Sequence, residues 1–398
     1  MKRFCLFVLI FLGVLLQLQG ESFRFNFAEG QKYKMLTEVK EKVYVNDVLS
    51  HTALLLNKIA FEVLKVDKGA GLIRGVFQVS EMEGSTLYRL RDEEFLAEYW
   101  RSPLGEYKPS KREQLMPLTR NIPLFPEKEI EPGATWKAMG EEVHDFRPFG
   151  IDVPIHIPVE VNYVFVSVEK SEKGKIAKIN LKYEFNYPLK DLLKIPGSHP
   201  VLVIGRVDQN YYWNLDRGHV EHYEDSFDVL YHFNDYRAYE FVGTSAGRLV
   251  EMQEMDKKKL AEEIQNTIDQ QGLKDTSVKE EDTGVTITFE NIQFLPESSV
   301  LVAEEKEKLN KISSILKKYP ERDILISGHT ARFGTEESSQ LLSEERAKSV
   351  GEYLLSLGIR RPDQLIYRGF GSRKPLGDNS TEEGAQKNRR VEMTILEN

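Results

Sequence analysis

Ile324-Leu325-Ile326-Ser327-Gly328-His329-Thr330-Ala331-Arg332-Phe333-Gly334 opens as a short apolar run and breaks into a glycine-bounded polar loop. The apolar part has the length and branching of a buried strand. Upstream, Leu309, Ile312, Ile315 and Leu316 recur at helical spacing until Tyr319-Pro320, where proline cannot continue a helix. Downstream, Leu342, Val350, Tyr353, Leu354 and Leu357 predict a second helix stopped by Gly358. Val285-Thr286-Ile287-Thr288-Phe289, Leu365-Ile366-Tyr367 and Val391-Glu392-Met393-Thr394-Ile395 supply further strands. Helices placed between strands predict an α/β sandwich over residues 284–398.

Before this segment, Leu249, Met252, Met255, Leu260, Ile264 and Ile268 fall three to five apart, with Gly272 closing the run. They predict an amphipathic linker helix within residues 245–283. From residue 21 to 244 the period is mostly two, as in Phe23, Phe25, Phe27 and in Val164, Val166, Val168. That is the pattern of strands with one buried face. Turn signals such as Asn46-Asp47, Asp67-Lys68-Gly69 and Asp216-Arg217-Gly218 separate the runs. The expectation is an antiparallel β domain, a sandwich or an open barrel, in a multidomain α+β chain. Asp92 to Trp100 reads as a short helix, and Pro117 to Pro132 as a surface excursion. The aromatic-rich stretch from Tyr211 to Phe241 reads as the inner face of a curved sheet, with a cavity for lipid or a partner as the sharper alternative.

Lys2 and Arg3 precede an apolar run from Phe4 to Leu16, and Gly20-Glu21 follow. A charged start, a core too short for the ~20 residues of a spanning helix and a small residue predict a secretory signal over residues 1–20. Cys5, the single cysteine, lies inside it. A mature chain without cysteine has neither disulfides nor thiolate metal sites. With 54 basic against 63 acidic residues, the chain is too acidic for nucleic acid, which needs a basic surface. Residues 284–398 carry 17 basic and 18 acidic side chains, so the acidity belongs to the β domain and linker.

Gly328 to Gly334 is followed by Leu342-Ser343-Glu344-Glu345-Arg346-Ala347, Gly369-Phe370-Gly371, Pro375 and Asn388-Arg389-Arg390-Val391-Glu392, with Ile292-Gln293-Phe294 and Ser299 before it. In that order and spacing these motifs resemble the OmpA-like C-terminal domain, a family that includes the peptidoglycan-associated lipoprotein and the flagellar stator's wall-binding domain. The resemblance runs from about residue 285 to 396 and implies non-covalent binding of a peptidoglycan stem peptide in the periplasm, without catalysis and without a cofactor. It implies a pocket formed by Thr330, Ala331, Arg332, Ser339, Leu342, Arg346, Arg389 and Arg390. Arg346, four residues after Leu342, carries a planar guanidinium suited to two parallel hydrogen bonds with a carboxylate. The loop from Thr330 to Gly334 offers backbone N–H groups, and Arg389 or Arg390 is expected at the rim.

Two positions depart from the family pattern. An aspartate is usual where Ala331 stands, and it would pair with the ammonium of a diaminopimelate residue; an asparagine is frequent at Ser339. The departures imply weakened wall binding, a different stem residue, or a domain kept as an interaction fold. The expected protein is therefore an exported envelope protein linking the wall to an outer-membrane, periplasmic or lipid partner of the β domain. The alternative is that this domain is itself an outer-membrane β-barrel. His219, Glu221, His222 and Glu224 are the best metal candidates, but strand alternation divides them between two faces. No metal is expected, and His329 is expected to be structural.

Overall fold

The alternation of Ile155, Ile157, Val159, Val161, Tyr163 and Phe165 with polar residues drives one face of a long strand into the core. In the computed structural model, which describes residues 20–397 apart from 83–85, 111–113, 153, 190–196, 252–254, 291, 293, 295–298 and 333, this pattern recurs throughout the first domain. The signal segment with Cys5 lies outside the described residues, as do Met252, Gln293 and Phe333. The strands are Lys32–Val45 (β1), Val48–Asp67 (β2), Ala70–Met82 (β3), Tyr88–Arg101 (β4), Tyr107–Pro109 (β5), Thr119–Arg120 (β6), Thr135–His144 (β7), Ile155–Ser171 (β8), Gly174–Pro188 (β9), Pro200–Asn214 (β10), His219–Phe233 (β11) and Ala238–Glu251 (β12). From β7 to β12 each pairs antiparallel with the next. Strand β12 then pairs with β1, and β1 to β4 continue the series. Asn46 and Asp47 both take positive φ, as a two-residue hairpin turn of this hand requires.

Side chains from β4 and β7, near opposite ends of the series, face one cavity, so the sheet is strongly curled. Met35, Thr37 and Val39 of β1 and Asn57, Ile59 and Phe61 of β2 line that cavity. The outward positions of β8 and β9 include Glu160, Asn162, Lys182 and Glu184, and also Val164 and Val166, which the sequence reading took for a buried face but which are exposed while Tyr163 and Phe165 are buried.

The remaining elements are Lys257–Gln271 (α1), Thr276–Glu281 (β13), Gly284–Glu290 (β14), Ala303–Leu316 (α2), Ile324–Gly328 (β15), Glu336–Ser356 (α3), Leu365–Gly369 (β16), Glu382–Asn388 (α4) and Arg390–Leu396 (β17). Their strands run in the order β13-β14-β17-β15-β16, with only β15 and β16 parallel. Residues of α1, α2 and α3 share one core with this sheet. Strand β16 also pairs with β4 at Ile366–Tyr88 and Tyr367–Arg89, so a single sheet runs through both domains.

Three expectations are corrected. The run starting at Ser245 is strand as far as Glu251, and the helix begins at Lys257, capped by the Asp256 carboxylate. Gly243 and Gly247 of β12 lie opposite Phe227 and Tyr223, and a Cβ at either would strike that ring. Those small residues are slots for cross-strand aromatics, which helical spacing cannot register. Leu260, Ile264 and Ile268 then bury α1 in the C-terminal core, so it belongs to that domain instead of bridging the two. Asp92 to Trp100 lies in β4, where Ala97 and Tyr99 are buried and Glu94 and Glu98 pair across the strand with Gln78 and Arg74. The 117–132 segment buries Ile122 and Phe125, and the Leu124 carbonyl accepts from Trp136 Nε1 at 2.9 Å. It is packed against the sheet.

The contact between the domains is ionic and buried. Asp323, preceding β15, accepts from Lys34 Nζ at 2.7 Å and Lys58 Nζ at 2.9 Å, and all three residues are 5 % exposed or less. Arg248 meets Asp363 at 3.0 Å, and Leu87 is buried in the C-terminal core.

Candidate functional site

The loop after β15 is held by its own backbone. His329 N–H donates to the Arg390 carbonyl at 3.0 Å, Thr330 N–H to the Gly371 carbonyl at 2.9 Å, and Arg332 N–H to Asn379 Oδ1 at 2.9 Å. Of the loop donors expected from the sequence to serve a ligand, those of Thr330 and Arg332 are already engaged.

Helix α3 crosses the end of β15 at close range. A Cβ on Gly328 would overlap the Ser343 carbonyl, and one on Gly369 would overlap Ser343 Oγ. Ser343 Oγ also accepts from Gly371 N–H at 2.8 Å, pinning α3 to the chain after β16. This packing places Ser339 of α3 beside the loop, where it shares a cavity lining with Arg332 and Gly334. Because backbone cannot yield as a flexible side chain would, Gly328→Ala is expected to cost about 1–3 kcal/mol. Thermal melting should show a midpoint lower by several degrees, and an unchanged midpoint would mean that α3 does not seat as described.

The expected residues separate into two groups. Arg332 and Ser339 line a cavity of ≈ 450 Å³ with Gly334, Thr335, Glu336, Ser372, Arg373, Pro375 and Asn379. Arg346 lies outside that lining, with its guanidinium carbon 4.9 Å from the centre of the Phe294 ring. Its Nε is buried and has no hydrogen-bond partner, and neither has Thr330 Oγ1. Burial, followed by the nearby positive charge of Arg389, pulls the Arg346 pKa down. An unsatisfied guanidinium nitrogen in such surroundings favours an incoming anion.

Ala331 is half-buried and Arg332 is exposed. Arg389 is held at 2.7 Å by Glu382 at the surface. Arg390, by contrast, is buried and donates from Nε to Glu392 Oε1 at 2.7 Å, so it belongs beneath the site and not at its rim. His329 is 1 % exposed and stacks on Phe370 at 5.1 Å. Its Nε2 lies 3.3 Å from Glu392 Oε2. Burial lowers the His329 pKa against the pull of Glu392. Burial would raise Glu392, but His329 and Arg390 outweigh it and hold the carboxyl at about 2. The sequence reading missed Glu392 as the acid beneath the loop and Arg373 and Asn379 as lining residues. Only their nearness to the quoted motifs could have signalled them.

In the first domain, Glu221 accepts from Asn214 at 2.8 Å and Lys173 at 3.1 Å, and His222 stacks on Tyr212 at 4.0 Å. Among the described residues, no group of three or more potential metal ligands converges.

Strands β15 and β16 with α3 between them form a βαβ unit, and residues 293–389 match the OmpA family. These residues form an OmpA-family domain. Among proteins similar to this segment is the peptidoglycan-binding protein ArfA of Mycobacterium tuberculosis, 36% identical over 113 residues, which are 28% of this chain and 33% of that protein. Another is the probable lipoprotein YiaD of Escherichia coli, 32% identical over 105 residues, 26% of this chain and 48% of that one. An outer membrane protein of Borrelia burgdorferi B31 has 36% sequence identity, with 30% of this chain and 96% of that chain covered and a TM-score of 0.26. The chain thus spans a third to a half of the length of those two curated relatives. The comparisons leave the first domain unidentified.

Proposed function

We propose that the protein is a non-enzymatic component of the bacterial envelope whose OmpA-family domain holds the wall by a stem-peptide carboxylate. The observation that carries this reading is Arg346, whose buried Nε has no partner while its guanidinium lies over Phe294. The name of ArfA as a peptidoglycan-binding protein supports the class of ligand. Thr330, Ala331, Leu342 and Arg389 would border this carboxylate site, and Arg332 and Ser339 the neighbouring cavity. With Ala331 in place of an acid, the domain would capture the carboxylate but lack a counter-charge for an ammonium group. Polar outward positions such as Glu160, Asn162, Lys182 and Glu184 support a β domain in the aqueous envelope in preference to a lipid-facing barrel.

Cosedimentation of the protein with purified cell walls tests this, with soluble stem peptide as competitor. Binding that the peptide displaces is expected; failure to sediment with any wall type would remove the proposal. Ala331→Asp should tighten binding to diaminopimelate-containing wall by about tenfold, the value of one charge-assisted hydrogen bond. No gain would mean that position 331 does not face the ligand's ammonium.

A further inference from the structure

The curled sheet surrounds an open cavity of ≈ 1190 Å³, somewhat above the ~300–1,000 Å³ typical of ligand pockets. Phe27, Phe61, Phe77, Tyr99, Tyr211 and Trp213 are among the large side chains that line it. The polar side chains of the lining largely satisfy one another. Thr37 bonds Tyr223 at 2.8 Å, Tyr183 donates to Glu142 at 2.6 Å, and His144 meets Tyr231 at 2.9 Å. Asp225 accepts from Ser245 Oγ at 2.6 Å and Gln209 at 3.1 Å. A ligand therefore meets apolar surface over most of its length.

Arg101 is the exception. Its guanidinium lies 4.2 Å over the Phe25 ring and one Nη donates to the Ile122 carbonyl at 3.1 Å, but its Nε is buried and unpartnered. Among the described residues, no carboxylate lies within ion-pair distance of it. Trp213 packs edge-on against the same Phe25 ring at 4.7 Å, and its buried Nε1 also lacks an acceptor. Two unmet donors, one of them cationic, thus flank one aromatic ring of the chamber. Exposed Lys32 and Arg91 add two further cations to a lining that also holds Glu142, Asp145 and Asp225.

We propose that this cavity binds a single-chain anionic amphiphile, with its acyl chain among the aromatic walls and its carboxylate or phosphate on Arg101 and Trp213. The inference is independent of wall binding by the other domain. The test is equilibrium binding of palmitate, lysophosphatidylglycerol and hexadecanol to the full mature chain freed of bound lipid. Palmitate or lysophosphatidylglycerol should bind at least tenfold tighter than hexadecanol, and whichever leads identifies the head group. Arg101→Gln should reduce the anionic ligands to the level of hexadecanol and leave hexadecanol unchanged, with an unchanged melting midpoint of the free protein as the control for folding. On the wild type, shortening the fatty acid from palmitate should weaken binding roughly fourfold per methylene. Equal affinity for palmitate and hexadecanol, a flat chain-length series, or no binding of any of the three would overturn the proposal.

Discussion

Asp323→Asn is expected to destabilise the protein by about 3–5 kcal/mol at neutral pH, since it leaves two buried ammonium groups without their counter-charge. The two lysines come from adjacent strands of the β domain and the aspartate from the other domain, so the loss falls on the contact between them. Burial would raise the Asp323 carboxyl, but Lys58 and Lys34 together hold it below the ordinary carboxylate value. Its contribution is therefore complete above the unfolded pKa of about 4 and lost as pH falls through the lower folded value. Lys58 is already pushed down by burial, with Asp323 opposing. Without that carboxylate it should release its proton more readily on folding, so the stability of the variant should recover as pH rises toward the unfolded lysine value of about 10.4. Denaturant titrations at pH 7 and pH 9.5 measure both effects. A loss under about 1 kcal/mol at pH 7, or a deficit that widens at pH 9.5, would show that the three groups do not form a buried charge cluster.

Arg346→Ala is expected to weaken wall binding by roughly ten- to hundredfold, the equivalent of ~1.5–3 kcal/mol for hydrogen bonds to a charged group. Much of the guanidinium is already desolvated against Phe294, so a carboxylate that reaches it gains more than it would at an exposed arginine. Arg346→Lys keeps the charge but not the planar fork, and its affinity should fall between wild type and alanine. Sedimentation with purified wall, at matched melting temperatures, separates this from a folding defect. Equal retention of all three proteins would remove Arg346 from the site.

The C-terminal domain was legible because its signals are local. Ile324-Leu325-Ile326, the helix stripe ended by Pro320 and the glycines at 328 and 369 each constrain their immediate neighbourhood. Arg346 could be picked out for the same reason, since its helix and its motif agree. The end of the sheet was misread because Gly243 and Gly247 take their meaning from Tyr223 and Phe227 one strand away, and period counting sees only one strand. Strand β4 was misread because the four-residue spacing of Glu94 and Glu98 suits a helix face as well as a strand on which they meet Gln78 and Arg74. Lys34 offered the clearest ambiguity. Nothing in its own strand marks it as buried, and in the fold it is buried because a partner carboxylate sits nearly three hundred residues further on. The engagement of the Thr330 and Arg332 donors was not legible because Gly371 and Asn379, which occupy them, come from a distant part of the chain.

The parallel pairing of β4 with β16, fastened by Asp323, also bears on mechanics. A wall-bound domain on a flexible tether would let its passenger swivel through every orientation. Here strand hydrogen bonds and a buried charge join the two domains directly, so with the C-terminal domain on the wall as proposed the mouth of the β domain would keep a fixed bearing to it. Any strain in the wall would then reach the curled sheet as a torque, and would not be spent in straightening slack chain.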